Sequence, residues 1–143
     1  MIYATPARNA VIVDSNVLLD VFTEDPEWYE WSASSLADQA ERAVLIINPI
    51  IYAEVSVRFA RIEELEEALP TDVYRRESLP WDSAFLAGKV FTDYRKRGGT
   101  KGSPMPEFYI GAHAAVRGAT LLTRDASRYR TYFPTLRVIA PNA

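Results

Sequence analysis

AVIVDSN, residues 10–16, joins four apolar residues, three of them β-branched, to an aspartate, a serine and an asparagine. Such a run predicts a strand over residues 10–14 that is buried on both faces and stops at turn-forming residues. Similar runs occur as AVLIIN at 43–48 and ATLLTRD at 119–125, and LRVIA at 136–140 is a shorter one. Strands that are hydrophobic throughout are typical of a parallel sheet covered by helices on both faces.

The segments between these strands carry apolar residues at helical spacing, with proline near several predicted helix starts. The predicted helices cover 17–23, 26–41, 50–69 with a break near Arg61, 81–99, 106–118 and 127–133. The resulting order, β-α-α-β-α-α-α-β-α-β, predicts an α/β fold with a central, mostly parallel sheet of about four to five strands. A chain of 143 residues is most simply one domain, over residues 1–143.

The composition excludes several classes of protein. The chain has no cysteine, which rules out thiol catalysis, cysteine-bound zinc and disulfides. Its longest apolar runs fall well short of the ~20 residues that span a bilayer. The N-terminal stretch MIYATPARNA, residues 1–10, lacks a secretory hydrophobic region. We therefore expect a soluble, cytoplasmic protein without a membrane partner.

The net charge of −3 conceals a strong asymmetry along the chain. Residues 1–72 hold 14 acidic against 4 basic residues, whereas residues 73–143 hold 5 against 12. Much of the basic excess lies in 95–101 and 117–130. Such clusters either contact phosphate groups or form an ordinary solvated face, and the sequence leaves both open.

Four acids are candidates for one site. Asp14 and Asp125 each follow a predicted strand, and ligands of parallel α/β folds lie outside the carboxyl ends of the strands. Glu54 stands among apolar neighbours soon after the second strand, where a buried carboxylate needs a partner or a metal. The alternative to a functional role is an ion pair with Arg58, one helical turn further along. Glu107 follows a proline at a helix start, where the helix dipole alone would explain a negative charge.

Four carboxylates that converge would repel one another and raise one another's pKa, and a divalent cation resolves that conflict. Oxygen ligands without cysteine or clustered histidine favour Mg²⁺ or Mn²⁺ over zinc. Such an ion can activate water and neutralise a phosphate. Together with the basic half of the chain, this indicates a nucleic-acid substrate.

Four stretches, in this order, resemble the PIN-domain ribonucleases of the VapC toxin type: VIVDSNVLLD at 11–20, PIIYAEVSVRF at 49–59, PEFYIGAHAAVRGATLLTRD at 106–125 and RYRTYFPTLRVIAP at 128–141. The resemblance covers nearly the whole chain. It implies a three-layer PIN-like fold and a Mg²⁺- or Mn²⁺-dependent endoribonuclease that cleaves RNA with a metal-activated water. It further implies a toxin that forms a homodimer and pairs with a VapB-type antitoxin.

The resemblance also implies roles for single residues. Asp14, Glu54, Glu107 and Asp125 would hold the metal, Asn16 would orient Asp14 or the attacking water, and Thr123 would support the site with its hydroxyl. Members of the family usually have aspartate where this chain has Glu107. The additional methylene group would move the carboxylate by about an ångström in a site where ~0.5 Å matters. The chain could therefore be a weakened member that only binds RNA or its antitoxin.

Other residues receive non-catalytic interpretations. His113 lies about 240° around its helix from Glu107, which favours a structural or interface histidine. Asp20 is expected at a solvated helix position, and Arg124 is expected to pair with Asp125 or to contact phosphate. Phosphotransferases of the haloacid-dehalogenase kind are a rival class, but they need a second aspartate where this chain has Asn16.

Overall fold

The computed structural model describes residues 9–142, in which five strands form one fully parallel sheet. The strands are β1 (Asn9–Val13), β2 (Ala43–Ile47), β3 (Tyr74–Arg76), β4 (Thr120–Leu122) and β5 (Val138–Ile139). Their order across the sheet is β3-β2-β1-β4-β5, so that β1 lies at the centre. The α/β class, the parallel sheet and the number of strands predicted from the sequence are confirmed.

Within residues 9–142, the sheet is surrounded by seven helices: α1 (Ser15–Phe22), α2 (Tyr29–Arg42), α3 (Pro49–Ser56), α4 (Ile62–Ala68), α5 (Trp81–Lys96), α6 (Pro106–Arg117) and α7 (Ser127–Tyr132). The predicted break near Arg61 separates α3 from α4. The helix predicted from residue 26 starts later, because the Asp25 carboxylate accepts hydrogen bonds from the backbone N–H groups of Glu27 and Trp28 and holds a turn there.

Strand β3 has no counterpart in the sequence prediction. It is a three-residue strand at the edge of the sheet, where Tyr74 is buried and the two arginines that follow are exposed. An edge strand needs no continuous apolar run, so the pattern that revealed the inner strands is missing here.

The central strand is covered on both faces. Val11, Ile12 and Val13 point alternately to opposite sides of the sheet, and all three are at most 2% exposed. Helix α6 packs closely on Phe133, the residue after α7. The approach is so close that a Cβ atom on Gly111 would collide with the Phe133 ring. This close approach brings the start of α6 near α7.

The register of the two central strands sets what lies at their carboxyl ends. Val13 pairs with Leu122, and the backbone N–H of Asp14 donates to the carbonyl of Leu122 at 2.9 Å. Asp14 and Thr123, the next residues of each strand, therefore lie side by side at this edge. No helix within residues 9–142 is long and apolar enough to cross a membrane. The predicted lack of a secretory segment concerns residues that lie almost entirely outside this range.

Candidate metal centre

A polar cavity of about 380 Å³ opens at the carboxyl edge of the sheet, between the starts of α1 and α6, the second half of α3, and the loop after β4 with the start of α7. It is lined by Asp14, Ser15, Asn16, Glu54, Glu107, Ile110, Asp125, Ser127, Arg128 and Tyr129. The four acids singled out from the sequence thus share one cavity.

Asp14 is the buried acid of this cavity. Its Oδ1 accepts a hydrogen bond from the Ser15 backbone N–H at 2.8 Å, which caps helix α1. Its Oδ2 accepts from the Thr123 hydroxyl and from the Tyr129 hydroxyl, each at 2.9 Å. Burial raises the pKa of Asp14, these hydrogen bonds lower it in part, and the negative charge of Glu107 raises it further. The net pKa lies above the usual value.

Glu54 lies one helix away and is half-buried. Its Oε1 accepts a hydrogen bond from the Ser15 hydroxyl at 2.8 Å. Burial raises the pKa of Glu54, and the negative charges of Asp14 and Glu107 add to that effect. Arg58, the partner considered in the alternative interpretation, is exposed, and no ion pair joins it to Glu54 among the described residues.

Glu107 and Asp125 complete the acidic lining. Glu107 stands in the first turn of α6, and its Oε1 is 2.8 Å from the Arg128 Nη1. Asp125 is exposed, and its Oδ1 accepts a hydrogen bond from the Ser127 hydroxyl at 3.3 Å. Within residues 9–142, no three acidic or histidine side chains stand close enough together to hold one ion by direct contact alone.

Asn16 and Thr123 connect the two central strand ends. The Asn16 Nδ2 donates to the Thr123 hydroxyl oxygen at 3.2 Å, and its Oδ1 accepts from the Arg124 backbone N–H at 3.1 Å. The Thr123 hydroxyl has one hydrogen, which it donates to Asp14, and its oxygen also accepts from the backbone N–H of Asp125. Both residues lie where the sequence placed them, and their catalytic roles stay predictions.

Three residues of the cavity were missed from the sequence. Ser15 was not among the candidates, whereas its hydroxyl donates a hydrogen bond to Glu54 and positions it. Tyr129 was not singled out, although its hydroxyl donates to Asp14 at 2.9 Å. Burial and the adjacent Asp14 charge hold the pKa of Tyr129 well above its usual value. Arg128 was recognised only as part of a basic cluster.

Asp20 and Arg124 correct two predictions. Asp20 is buried rather than solvated, and its carboxylate accepts two hydrogen bonds from the Arg124 guanidinium, at 2.9 and 3.1 Å. The Ser32 hydroxyl donates a third, at 2.7 Å. The guanidinium also lies over the ring of Trp28, 5.5 Å from its centroid. Arg124 thus anchors the loop after β4 to α1 and α2, and its side chain pairs with Asp20 instead of Asp125.

His113 is a structural histidine, as predicted. Asn48 uses its Oδ1 to cap the backbone N–H of Ile51, so its Nδ2 must donate to the His113 Nδ1, at 2.9 Å. The His113 Nε2 therefore carries the hydrogen and donates to Glu77 at 3.2 Å. Burial lowers the pKa of His113, in keeping with this neutral form.

The donor set of the cavity fits a hydrated divalent cation. Its acids and hydroxyls offer oxygen atoms only, which suits Mg²⁺ or Mn²⁺. Burial and mutual repulsion disfavour the ionised forms of Asp14 and Glu54, and a cation would relieve both effects. Mg²⁺ keeps several waters and needs few direct protein ligands, which agrees with acids that line one cavity without forming a closed cage.

The sequence matches the model of the PIN domain over residues 11–134. The chain therefore belongs to the PIN-domain family. Among solved structures, it is similar to a chain of VapBC2 from Rickettsia felis bound to a DNA fragment from their promoter, with 18% identity, a TM-score of 0.71 and coverage of 93% of this chain and 99% of that one.

Two further structures show the same fold. A chain of VapBC-1 from nontypeable Haemophilus influenzae is 18% identical, with a TM-score of 0.68 and coverage of 92% of this chain and 97% of that one. A chain of FitAcB from Neisseria gonorrhoeae is 17% identical, with a TM-score of 0.67 and coverage of 90% and 96%. No curated protein matches the sequence. The identities are low, so these likenesses establish the fold.

Proposed function

We propose that this protein is a Mg²⁺- or Mn²⁺-dependent endoribonuclease and the toxin of a VapBC-type toxin–antitoxin pair. The observation that carries the proposal is the convergence of Asp14, Glu54, Glu107 and Asp125 on one cavity of a PIN domain. The proposal treats residues 1–143 as a single PIN domain. The proposal includes a cytoplasmic location, as predicted from the sequence.

The four acids would hold the cation, directly or through waters. When bound, a divalent cation supplies positive charge at the scissile phosphate and lowers the pKa of a water molecule, which is the chemistry that phosphodiester hydrolysis needs. Three donors at 2.8 to 2.9 Å fix the orientation of the Asp14 carboxylate, so that it needs little rearrangement to bind. Tyr129 keeps its proton because its pKa is raised, and it acts as a hydrogen-bond donor rather than as a base.

The test is Mg²⁺-dependent cleavage of RNA by purified Asp14→Asn protein. We expect a loss of roughly 100-fold or more, since the substitution removes the best-supported ligand. Asp38→Asn is the matched control, because Asp38 is an exposed acid paired with Arg42 on α2. Cleavage by Asp14→Asn at the rate of the control would overturn the assignment of the centre.

A second candidate function is a binding module of the same family with weakened catalysis. The observation in its favour is that Glu107, in place of the family's usual aspartate, is paired with Arg128. Cleavage by the natural chain should be compared with cleavage by Glu107→Asp. A large gain in the variant would identify an enzyme weakened at this position. Two inert proteins that still bind RNA would favour the module.

The proposed partners are RNA, a VapB-type antitoxin and a second copy of the chain. A toxin–antitoxin complex from Klebsiella pneumoniae contains a chain with this fold, which supports the antitoxin as a partner. The side chains of Trp81 and Phe85, one turn apart on α5, are 91% and 69% exposed and would be covered in a homodimer. Light scattering of the chain alone and with the protein encoded beside it tests both assemblies; a monomer in each case contradicts them.

A further inference from the structure

Arg128 stands at the rim of the acidic cavity. Its Nη1 lies 2.8 Å from Glu107 Oε1 and 2.8 Å from the Met105 sulfur, and its guanidinium is 5.9 Å from the centroid of the Tyr94 ring. Among the described residues, it is the one basic side chain that lines the cavity. Its positive charge therefore offsets part of the negative charge of four carboxylates.

The ion pair between Arg128 and Glu107 is weak enough to dissociate readily. The side chains are 44% and 31% exposed, so both charges are hydrated and screened, and ion pairs of this kind contribute little. Only one of the five N–H groups of the guanidinium faces the carboxylate. The thioether and the aromatic ring are weak partners, which leave the side chain free to rotate.

The same carboxylate cannot serve Arg128 and a divalent cation equally well. A cation that reaches Glu107 places two positive charges beside the guanidinium, and the two repel. The displaced guanidinium stays at the mouth of the cavity, attached to the short helix α7. A planar guanidinium with five donors is well suited to bind a phosphate oxygen pair.

The length of Glu107 contributes to this arrangement. Gly111 lets α6 approach Phe133, directly after α7, and the Glu107 carboxylate meets Arg128 of α7 at 2.8 Å; an aspartate, one methylene shorter, would draw the carboxylate back towards α6. The side chain that departs from the family's pattern is thus the one that pairs with the arginine of the cavity.

We propose that Arg128 exchanges one binding partner for another. It pairs with Glu107 until a divalent cation binds that carboxylate, and it then binds a phosphate group of the nucleic-acid substrate. The inference rests on the proposed metal-dependent nuclease. It assigns a positioning and phosphate-binding role to a residue outside the four acids.

The first experiment measures Mn²⁺ binding by calorimetry, without RNA, for the natural chain, Arg128→Met and Arg130→Met. Arg130→Met is the matched control, since it removes the same charge from an exposed position of the same helix. We expect Arg128→Met to bind Mn²⁺ about fivefold more tightly, the factor that corresponds to losing an exposed ion pair. Arg130→Met and Arg128→Lys should stay close to the natural chain.

The second experiment measures binding of a 20-nucleotide mixed-sequence RNA by fluorescence anisotropy, with Mn²⁺ and with EDTA, read at mixing before cleavage products form. Mn²⁺ should strengthen RNA binding by the natural chain and Arg130→Met more than by Arg128→Met. The slope of log affinity against log salt should fall by ~0.7 in Arg128→Met with Mn²⁺, and should not change with EDTA.

The outcomes separate this inference from the function on which it rests. Equal Mn²⁺ affinity in the natural chain and Arg128→Met, or an equal effect of Mn²⁺ on their RNA binding, overturns the exchange and leaves the nuclease intact. If the natural chain does not bind Mn²⁺, or binds it equally well after Asp14→Asn, both the exchange at Arg128 and the proposed metal-dependent nuclease are overturned. An RNA affinity of the natural chain that does not respond to Mn²⁺ overturns the phosphate-binding half.

Discussion

Two arginine–acid pairs stand four residues apart on the segment that follows β4, and they differ in depth. Arg124 makes two hydrogen bonds to Asp20, and the two side chains are 31% and 3% exposed. Arg128 makes one to Glu107, with side chains 44% and 31% exposed. The hydrogen bond with Asp20 raises the pKa of Arg124. The burial of the two side chains thus decides whether such an ion pair maintains the fold or stays available for another partner.

The largest expected effect is on the deep pair. Arg124→Met leaves the Asp20 carboxylate buried without its cation and should lower the free energy of unfolding by about 2–4 kcal/mol. Arg128→Met should lower it by less than ~1 kcal/mol. Urea denaturation of both variants, with Arg130→Met as control, measures the difference. Equal losses in Arg124→Met and Arg128→Met would remove the distinction between the pairs.

The next effect concerns Asp14, an acid as deeply buried as Asp20 but held by hydroxyl and N–H groups instead of an arginine. Tyr129→Phe removes one donor to Asp14 and should lower the free energy of unfolding by about 1–2 kcal/mol at pH 7. Lowering the pH should shrink the loss, because a protonated Asp14 needs that donor less. Tyr132→Phe is the control, and a loss of the same size there would contradict the explanation.

A smaller effect is expected at His113, whose buried contacts require the neutral ring. Because its pKa is lowered by folding, the unfolded chain binds the proton more readily below about pH 6.5. Stability from this residue is thus complete above that pH and falls as the pH decreases, by up to ~1 kcal/mol between pH 7 and 5.5. The free energies of unfolding of the natural chain and of His113→Gln are compared across this pH range, and their difference separates the contribution of His113 from that of the carboxylates. A difference that does not vary with pH would show that burial leaves the ring free to ionise.

The smallest effect is expected for the ion pair of Asp38 and Arg42 on the surface of α2. It has a contact of 2.6 Å, shorter than either pair in the comparison, yet its side chains are more than half exposed. Arg42→Met should change the free energy of unfolding by less than ~0.5 kcal/mol in urea denaturation. A loss as large as that of Arg124→Met would mean that contact distance, and not depth, sets the contribution.

The sequence predicted what depends on local pattern. Apolar runs located four of the five strands, and the rule that ligands lie at the carboxyl ends of parallel strands brought Asp14 and Asp125 to the same edge. Glu54 and Glu107 each also had a local explanation, an ion pair with Arg58 for the first and the helix dipole for the second. The structure places both on the cavity.

The rest depends on partners far apart in the chain. Asp20 and Arg124 are 104 residues apart, and Tyr129 reaches Asp14 across 115. No local pattern distinguishes a solvated aspartate from one that meets an arginine brought in by another strand. Strand β3 was missed for the opposite reason, since it is local but too short and too polar to form a pattern.

The pairing of Val13 with Leu122 has a consequence for the timing of synthesis. Asp14 is synthesised 109 residues before Thr123 and 115 residues before Tyr129, the two residues whose hydroxyl groups hold its carboxylate. Until β4 pairs with β1, Asp14 lacks two of its three supports and the cavity lacks a wall. A nascent chain that has extended past Asp14 but not yet past Tyr129 would thus carry no assembled site while it is surrounded by ribosomal RNA.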